Sequence, residues 1–378
     1  MNAPATPEVH VLQFGTGKFL RAFVDLMLHE QNAGGGAARH VAAVQSTGAA
    51  RADALSARGC RFRVAVRGIF DGRRVDRVER VESVRQAFSA ASQWPEIVAA
   101  ACGTSLCTIV SNTTEAGYRL CDDDRPGDAP PRSFPAKLLA VLQARWAAGL
   151  SGPTMLPCEL LPANGDTLRD RVVEQAGRWS CPAALIDWLV GACRWRNTLV
   201  DRIVGSLPAD DPLAVEDPLA CVAEPFALWL VEGSEPLDAL PSHPSVQLVD
   251  RLEPYQLRKV RILNGAHTAL VAKALPAGFT TVREAIEDPS IGDWLRRLVF
   301  DEIVPVLEGR TEQPEAFARQ AFERFANPWI EHRLADIAMA HEAKIAARLA
   351  PTLAEYQSRF GRAAPLLSAL LATARGAT

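Results

Sequence analysis

Two hydrophobic rhythms run through the first 250 residues of this chain, and only one of them continues past Leu252. Up to that point, apolar runs of strand length alternate with stretches whose apolar residues recur every three or four positions. Beyond it the helical spacing stands alone, over 255–274, 281–287, 289–307, 314–326, 330–349 and 364–374. Alternating strands and helices specify an α/β fold with a parallel sheet, whereas consecutive helices must pack on one another. The chain therefore reads as an α/β N-terminal domain of the Rossmann type, residues 1–250, followed by a mostly α-helical C-terminal domain, residues 251–378. A length of 378 residues also exceeds what one core usually organises.

The α/β half opens with a signature of its own. Residues 9–14, Val-His-Val-Leu-Gln-Phe, form an apolar strand pattern that runs straight into Gly15-Thr16-Gly17. Phe19, Leu20, Phe23, Val24, Met27 and Leu28 then recur at helical spacing. Strand, Gly-x-Gly turn and helix begin a dinucleotide-binding βαβ unit. The first glycine permits the tight turn, and the second lets backbone approach a pyrophosphate. Leu20 replaces the third glycine of the full fingerprint, so a plain β-turn-α connection is the alternative. Phe14, Gly15, Thr16, Gly17, Lys18 and Phe19 are the cofactor candidates of this turn.

A second strand, residues 40–45, ends in Gln45-Ser46, both cofactor candidates. Many NAD-binding folds carry an acid there for the ribose hydroxyls. None is present, and Arg51 follows. Residues 62–69 form a strand with Asp71-Gly72 as a hairpin turn. Residues 106–110 form a buried strand that ends in Ser111-Asn112-Thr113-Thr114. Asn112 and Thr113 can line a ligand crevice at the strand's carboxyl end, or the threonines can cap a helix. Helices are expected over 134–146 and after Asn164-Gly165-Asp166, and a strand over 154–160. Asn197, Asp201 and Arg202 gather on a short segment, as a buried network or the edge of a site.

Composition removes several function classes. A net charge of −3 gives no pull toward nucleic acid or an anionic membrane. The Met1–Glu8 start lacks the basic and apolar parts of a signal peptide, and no apolar run reaches membrane-spanning length. Eight cysteines form no CxxC pair and several sit in apolar runs. They read as small core residues of a cytoplasmic protein, with no disulfide frame and no metal site.

The stretch from Tyr255 to Val271 carries the chemistry. At about 100° per residue, Lys259, His267 and Asn264 share one helix face with Leu263, Leu270 and Val271. A buried amine, amide and imidazole are costly without partners. The bland alternative is a packed helix whose Lys snorkels outward. The functional reading is a cleft. There, desolvation lowers the lysine pKa and suits it to proton transfer near neutral pH. The asparagine can donate to a developing alkoxide, and the histidine can position a hydroxyl.

Seven stretches occur in this order: Gln-Phe-Gly-Thr-Gly-Lys-Phe-Leu-Arg-Ala-Phe (13–23), Ser-Asn-Thr-Thr-Glu-Ala-Gly (111–117), Pro-Cys-Glu-Leu-Leu (157–161), Asn-Thr-Leu-Val-Asp-Arg-Ile-Val (197–204), Glu-Pro-Phe-Ala-Leu-Trp-Leu-Val-Glu (224–232), Arg-Lys-Val-Arg-Ile-Leu-Asn-Gly-Ala-His-Thr (258–268) and Arg-Phe-Ala-Asn-Pro (324–328). Together they resemble the mannitol dehydrogenase family of polyol-specific long-chain dehydrogenases, and within it the tagaturonate reductase (altronate oxidoreductase) branch. The resemblance implies NAD as cofactor, no catalytic metal, and a small sugar-acid or polyol substrate. It puts the catalytic lysine at Lys259, the oxyanion-binding asparagines at Asn264 and Asn197, and the substrate-orienting histidine at His267. It also suggests a substrate contact at Lys344. A carboxylate-bearing substrate needs a cation, for which Lys344, Arg202 and Arg261 are the candidates. Two departures bear on specificity. The chain is shorter than many members of that branch, and Asp336 stands where mannitol-type members carry an arginine. A mannitol, polyol or sugar-phosphate dehydrogenase is the alternative within the family. An inactive NAD-binding regulator is the alternative outside it.

Overall fold

The computed structural model describes residues 8–235 and 240–376, so all of the Met1–Glu8 start except Glu8 lies outside the described residues. The chain divides into two compact units. The first comprises Met1–Ala65, Val78–Cys221 and Ala227–Leu252, and the second Val66–Arg77, Val222–Phe226 and Glu253–Thr378.

Thirteen strands are described: β1 (Val11–Phe14), β2 (Val41–Gln45), β3 (Phe62–Phe70), β4 (Arg73–Val81), β5 (Val84–Ser89), β6 (Thr108–Ser111), β7 (Thr154–Pro157), β8 (Arg194–Trp195), β9 (Thr198–Asp201), β10 (Val204–Gly205), β11 (Cys221–Ala223), β12 (Leu228–Glu232) and β13 (Val246–Val249). Six of them form a parallel sheet in the order β5-β2-β1-β6-β7-β8. Taken by appearance in the chain, these strands run third, second, first, fourth, fifth, sixth across the sheet. That is the doubly wound order, with its switch point between β1 and β6. All four residues of β1, β6 and β7 are buried, as expected of a parallel sheet covered on both faces. The helix Phe134–Ala147 lays Leu138, Leu139, Val141 and Leu142 into this core, and the Ser133 hydroxyl caps its start.

A three-stranded sheet, β13-β12-β9, and a four-stranded one, β10-β11-β3-β4, complete the strands. Asp71 and Gly72 both have positive φ, 49° and 70°, which makes the expected β3–β4 hairpin turn. β7 stops at Pro157, short of the expected 160, because the chain turns there toward the helix Asn164–Arg178.

The second unit packs around an apolar cluster built from Ile262, Leu270, Leu295, Leu298, Phe317, Leu334 and Leu367 among others. Two of its sequence motifs are structural. Arg324 grips the Glu224 carboxylate through two bonds of 2.9 and 2.8 Å, with both side chains almost fully buried. Asn327 Nδ2 donates to the Arg67 carbonyl at 3.0 Å. These contacts fasten the Val222–Phe226 segment to the helix Pro314–Phe325 and the Val66–Arg77 segment to the turn that follows it.

The expected helix over 330–349 is two pieces, Leu334–Ile337 and His341–Arg348, separated at Ala340 with φ 53°. The Lys344 ammonium donates to the Ile337 carbonyl at 2.8 Å and so closes the end of the first piece. No described helix is long and apolar enough to cross a membrane.

Candidate active site

Each unit carries candidate residues at a local break in regular structure. In the first unit the break is the turn after β1. Gly15 has φ 138°, and a Cβ there would lie 2.7 Å from Leu20 Cδ1. Only glycine suits both constraints. Gly17 differs: a Cβ there would meet nothing within 4 Å. The space that this second glycine leaves open fits a pyrophosphate against backbone, so the residues present suit a dinucleotide. Leu20, in the place of the third glycine, is buried and packs toward Gly15. Phe14 is fully buried, Thr16 is buried, and Phe19 stacks on Phe23 at 4.9 Å between ring centroids. Lys18 donates to the Ser206 hydroxyl.

Gln45, at the end of β2, spends its side chain on the protein. Its Oε1 accepts from the backbone N–H groups of Arg51 and Ala52, and its Nε2 donates to the Thr47 carbonyl. It caps the helix Ala50–Ala57, with half-buried Ser46 beside it.

At the end of β6, Asn112 donates through Nδ2 to the Cys158 carbonyl at 2.8 Å. Thr113 turns to Glu159. Thr114 makes no side-chain cap to the short 3₁₀ turn Glu115–Tyr118. Glu159 organises this loop. Its carboxylate accepts from Thr113 N (2.8 Å), Thr113 Oγ1 (3.2 Å), Ser111 Oγ (3.1 Å) and Tyr118 OH (3.0 Å). Burial raises its pKa, and these donors oppose the shift.

Asn197 is held tightly. Its Nδ2 donates to both Asp166 Oδ2 and Glu232 Oε2 at 2.8 Å, and its Oδ1 accepts from Asp166 N. Both amide hydrogens of this expected oxyanion donor are therefore committed to carboxylates. Arg202 donates to the Ala22 carbonyl at 2.7 Å.

In the second unit the break is a π-helical turn, Lys259–Asn264, set between the α-helices Glu253–Arg258 and Gly265–Ala274. A π turn closes its hydrogen bonds one residue later than an α turn. Residues beyond it lag the α-helical phase by about 100°, which corrects the face arithmetic given above. Lys259 opens this turn and Asn264 closes it, both half-buried. The Asn264 side-chain amide makes no hydrogen bond to any described residue, while its carbonyl accepts from Thr268 Oγ1 at 2.8 Å.

His267 is buried, and its Nε2 has no hydrogen-bond partner among the described residues. Phe325 lies 4.4 Å from it and His332 4.7 Å, between ring centroids. Burial first, then His332, Arg324 and Arg348, hold its pKa well below the ordinary value, so the ring is neutral. Burial likewise brings His332 down to about 4.

The cationic candidates divide. Arg261 is spent inside the unit, bonded to Thr352 Oγ1 at 2.8 Å and Glu355 Oε1 at 2.9 Å. Lys344 is neither free in solvent nor paired with Glu342; it donates to the Ile337 carbonyl. One turn on, Arg348 donates to Thr268 Oγ1 at 3.1 Å. No described carboxylate pairs with Lys344 or Arg348, and burial lowers both from their ordinary values. A mostly apolar cavity of about 510 Å³ lies in the same unit, but Lys259, Asn264 and His267 do not line it. The chemistry is therefore located by the side chains rather than by the cavity.

Two family descriptions match. The mannitol dehydrogenase Rossmann domain matches residues 9–243, and the mannitol dehydrogenase C-terminal domain matches residues 251–375. The chain belongs to the mannitol dehydrogenase family. It is thus an oxidoreductase that acts on CH–OH groups. Altronate oxidoreductase of Halalkalibacterium halodurans is 36% identical over 372 residues, 94% of this chain and 72% of that protein. Altronate oxidoreductase of Cronobacter sakazakii is 37% identical over 391 residues, 98% of this chain and 80% of that protein. Pseudomonas fluorescens mannitol 2-dehydrogenase, solved as a ternary complex with NAD and D-mannitol, shares the fold with a TM-score of 0.77 at 23% identity, covering 98% of this chain and 79% of that one. A D-sorbitol dehydrogenase in substrate-free form aligns with a TM-score of 0.82 at 22% identity, covering 97% of this chain and 79% of that one.

Two residues of this family member escaped the sequence reading. Glu159 stood inside a quoted motif, yet nothing in its neighbours signalled the four donors that converge on it. Arg348 lay in a stretch read as unbroken helix. Only the break at Ala340 sets the orientation of the piece that carries it.

Proposed function

We propose that this protein is an NAD(H)-dependent reductase of a six-carbon keto sugar acid, interconverting tagaturonate and altronate. Residues 1–250 would hold the dinucleotide, and residues 251–378 the substrate and the acid–base group. The observation that carries the substrate class is the cation pair Lys344 and Arg348, which has no described carboxylate partner. A substrate carboxylate needs such a partner when it leaves water. The planar fork of an arginine suits it in particular. Relatives named altronate oxidoreductase support the same class.

A nicotinamide, when bound, supplies the hydride for the carbonyl carbon. The protein does the rest. In reduction Lys259 donates the proton to the carbonyl oxygen, and in oxidation its neutral amine takes the proton back. Positioned acid–base groups contribute about 10²–10⁴ in rate. Asn264, whose amide is uncommitted, hydrogen-bonds the oxygen as charge develops, a role worth about 10²–10³ when the donor is preorganised. His267 offers its unpartnered Nε2 to Lys259 or to a neighbouring substrate hydroxyl. Asn197 is the second oxyanion donor by family resemblance, and it would have to release Asp166 or Glu232 to serve.

The dinucleotide is NAD rather than NADP. Family resemblance supports this preference, and the exposed Arg51 is the residue that could reverse it by pairing with a 2′-phosphate. The test is consumption of NADH and NADPH with a panel of hexuronates, ketoses, polyols and their phosphates. Expected is turnover of the keto acid with NADH. Preference for a neutral substrate, or binding of cofactor without turnover of any panel member, contradicts the proposal.

A further inference from the structure

Beneath the Gly15–Gly17 turn lies a buried polar group that the chemistry above does not use. Asp25 is 1% exposed and sits on the helix Val24–Ala33. Gln13 Nε2 donates to Asp25 Oδ2 at 3.3 Å and to the carbonyl of Gly15 at 3.1 Å. It links the carboxylate directly to the first glycine of the turn. Arg21, also buried, donates through Nη1 to the carbonyl of Thr16 at 2.6 Å and through Nη2 to that of Leu219 at 2.9 Å. Two consecutive residues of the turn are thus tied from below, Gly15 to Gln13 and Thr16 to Arg21.

The network is incomplete in a specific way. Gln13 Oε1 and Asp25 Oδ1 are both buried acceptors without a donor among the described residues. A proton on Asp25 removes the buried negative charge and lowers the number of donors its carboxyl group requires. An uncompensated buried carboxylate is expensive, so its presence under a ligand turn calls for a reason. The charged and titratable groups around it are Arg21 and the Cys60 thiol, with His29 one turn along its own helix. Around Arg21 stand Cys221, Arg51 and Asp217. The Ser83 hydroxyl donates to the Asp25 carbonyl at 2.6 Å and pins that helix.

We propose that Asp25, through Gln13 and alongside Arg21, is a positioning residue for the Gly15–Gly17 turn, and that its protonation is linked to dinucleotide binding there. This rests on the cofactor reading given above. A pyrophosphate at the turn adds negative charge near Asp25 and favours its protonated form. By linkage the dinucleotide then binds more tightly as pH falls. Burial raises the Asp25 pKa to about 7, against opposing effects of Gln13 and Arg21, so the titration falls in the neutral range.

The test is NADH binding to the full chain by fluorescence, without substrate. Wild-type affinity should fall about 3- to 10-fold from about pH 6 to about pH 8, and the Asp25→Asn variant should lose that slope. An equal slope in both proteins overturns the proposal. A second measurement needs no variant. The ¹³C carboxyl resonance of Asp25 in the wild type should titrate at higher pH with NADH present, and an unmoved midpoint overturns the proposal. If the wild type binds NADH at no pH, the cofactor reading itself fails, an outcome distinct from binding without a pH slope.

Discussion

The Gly15–Gly17 turn and the Lys259–Asn264 turn both interrupt regular structure where function is expected, and they are built in opposite ways. The first is made by what is missing. One glycine relieves a positive φ, the other leaves space, and buried Gln13 and Arg21 hold the backbone from beneath. The second is made by an extra residue in a helix of ordinary composition, which sets a lysine and an asparagine at its two ends. A loop turn needs a brace because its own backbone bonds are few. A π turn is held by the helices on either side of it.

This contrast can be broken most forcefully at Lys259. Lys259→Ala should lower kcat by at least about 10²-fold, the low end for acid–base catalysis, with NADH affinity nearly unchanged. A near-normal kcat removes Lys259 from the mechanism. Deleting Val260 asks whether the extra residue matters. It returns the segment to α-helical phase and swings Lys259 by about 100° relative to Asn264. Turnover should then fall as far as in Lys259→Ala, with NADH binding retained. Activity within tenfold of wild type would mean that the π turn does not set the geometry.

Smaller effects are expected at the glycines, and they should separate. Gly17→Ala should weaken NADH binding about tenfold without loss of thermal stability, since its Cβ would meet no atom of the described residues within 4 Å. Gly15→Ala should destabilise the fold itself, by about 1–2 kcal/mol from backbone strain alone. Equal behaviour of the two variants would erase the distinction between a glycine needed by the fold and one needed by a ligand.

The smallest effect on turnover, and the one with a pH signature, is at Asp25. Its folded pKa, about 7, lies above the ordinary 3.8, so the folded state holds a proton that the unfolded state has released. Stability therefore falls as pH rises between these values and levels off above them. Asp25→Asn removes that cost. Its stability advantage should be near zero at about pH 4 and approach an upper bound of about 4 kcal/mol above pH 7. Denaturant midpoints across that range test it, and a pH-independent difference would show that Asp25 does not titrate there.

The sequence was informative where local chemistry decides structure. The β1–Gly15–Gly17 connection, the Asp71-Gly72 hairpin and the helix from Phe134 follow from φ requirements and apolar spacing. It was silent where tertiary contacts decide. The π turn has the same residue pattern as the α-helix around it, because hydrogen-bond register is not periodicity. The break at Ala340 falls among good helix formers, with no proline or glycine to mark it. The charged β4 strand, Arg73–Val81, exists by pairing with β3 rather than by burying a face. The candidate site follows the same division. Lys259, Asn264 and His267 could be named from their spacing and family motif, whereas the double commitment of Asn197 and the bond of Arg348 to Thr268 depend on neighbours far away in sequence.

The most direct measurement is the ratio of kcat/KM for tagaturonate to that for fructose, in the wild type and in Lys344→Ala and Arg348→Ala. The wild type should favour tagaturonate. Each variant should lose about 30-fold or more on the acid, the low end for removing one partner of a buried charge pair, and less than about threefold on the neutral ketose. A wild type that prefers fructose contradicts the sugar-acid assignment, and a ratio unchanged in both variants contradicts the claim that these two cations recognise the carboxylate.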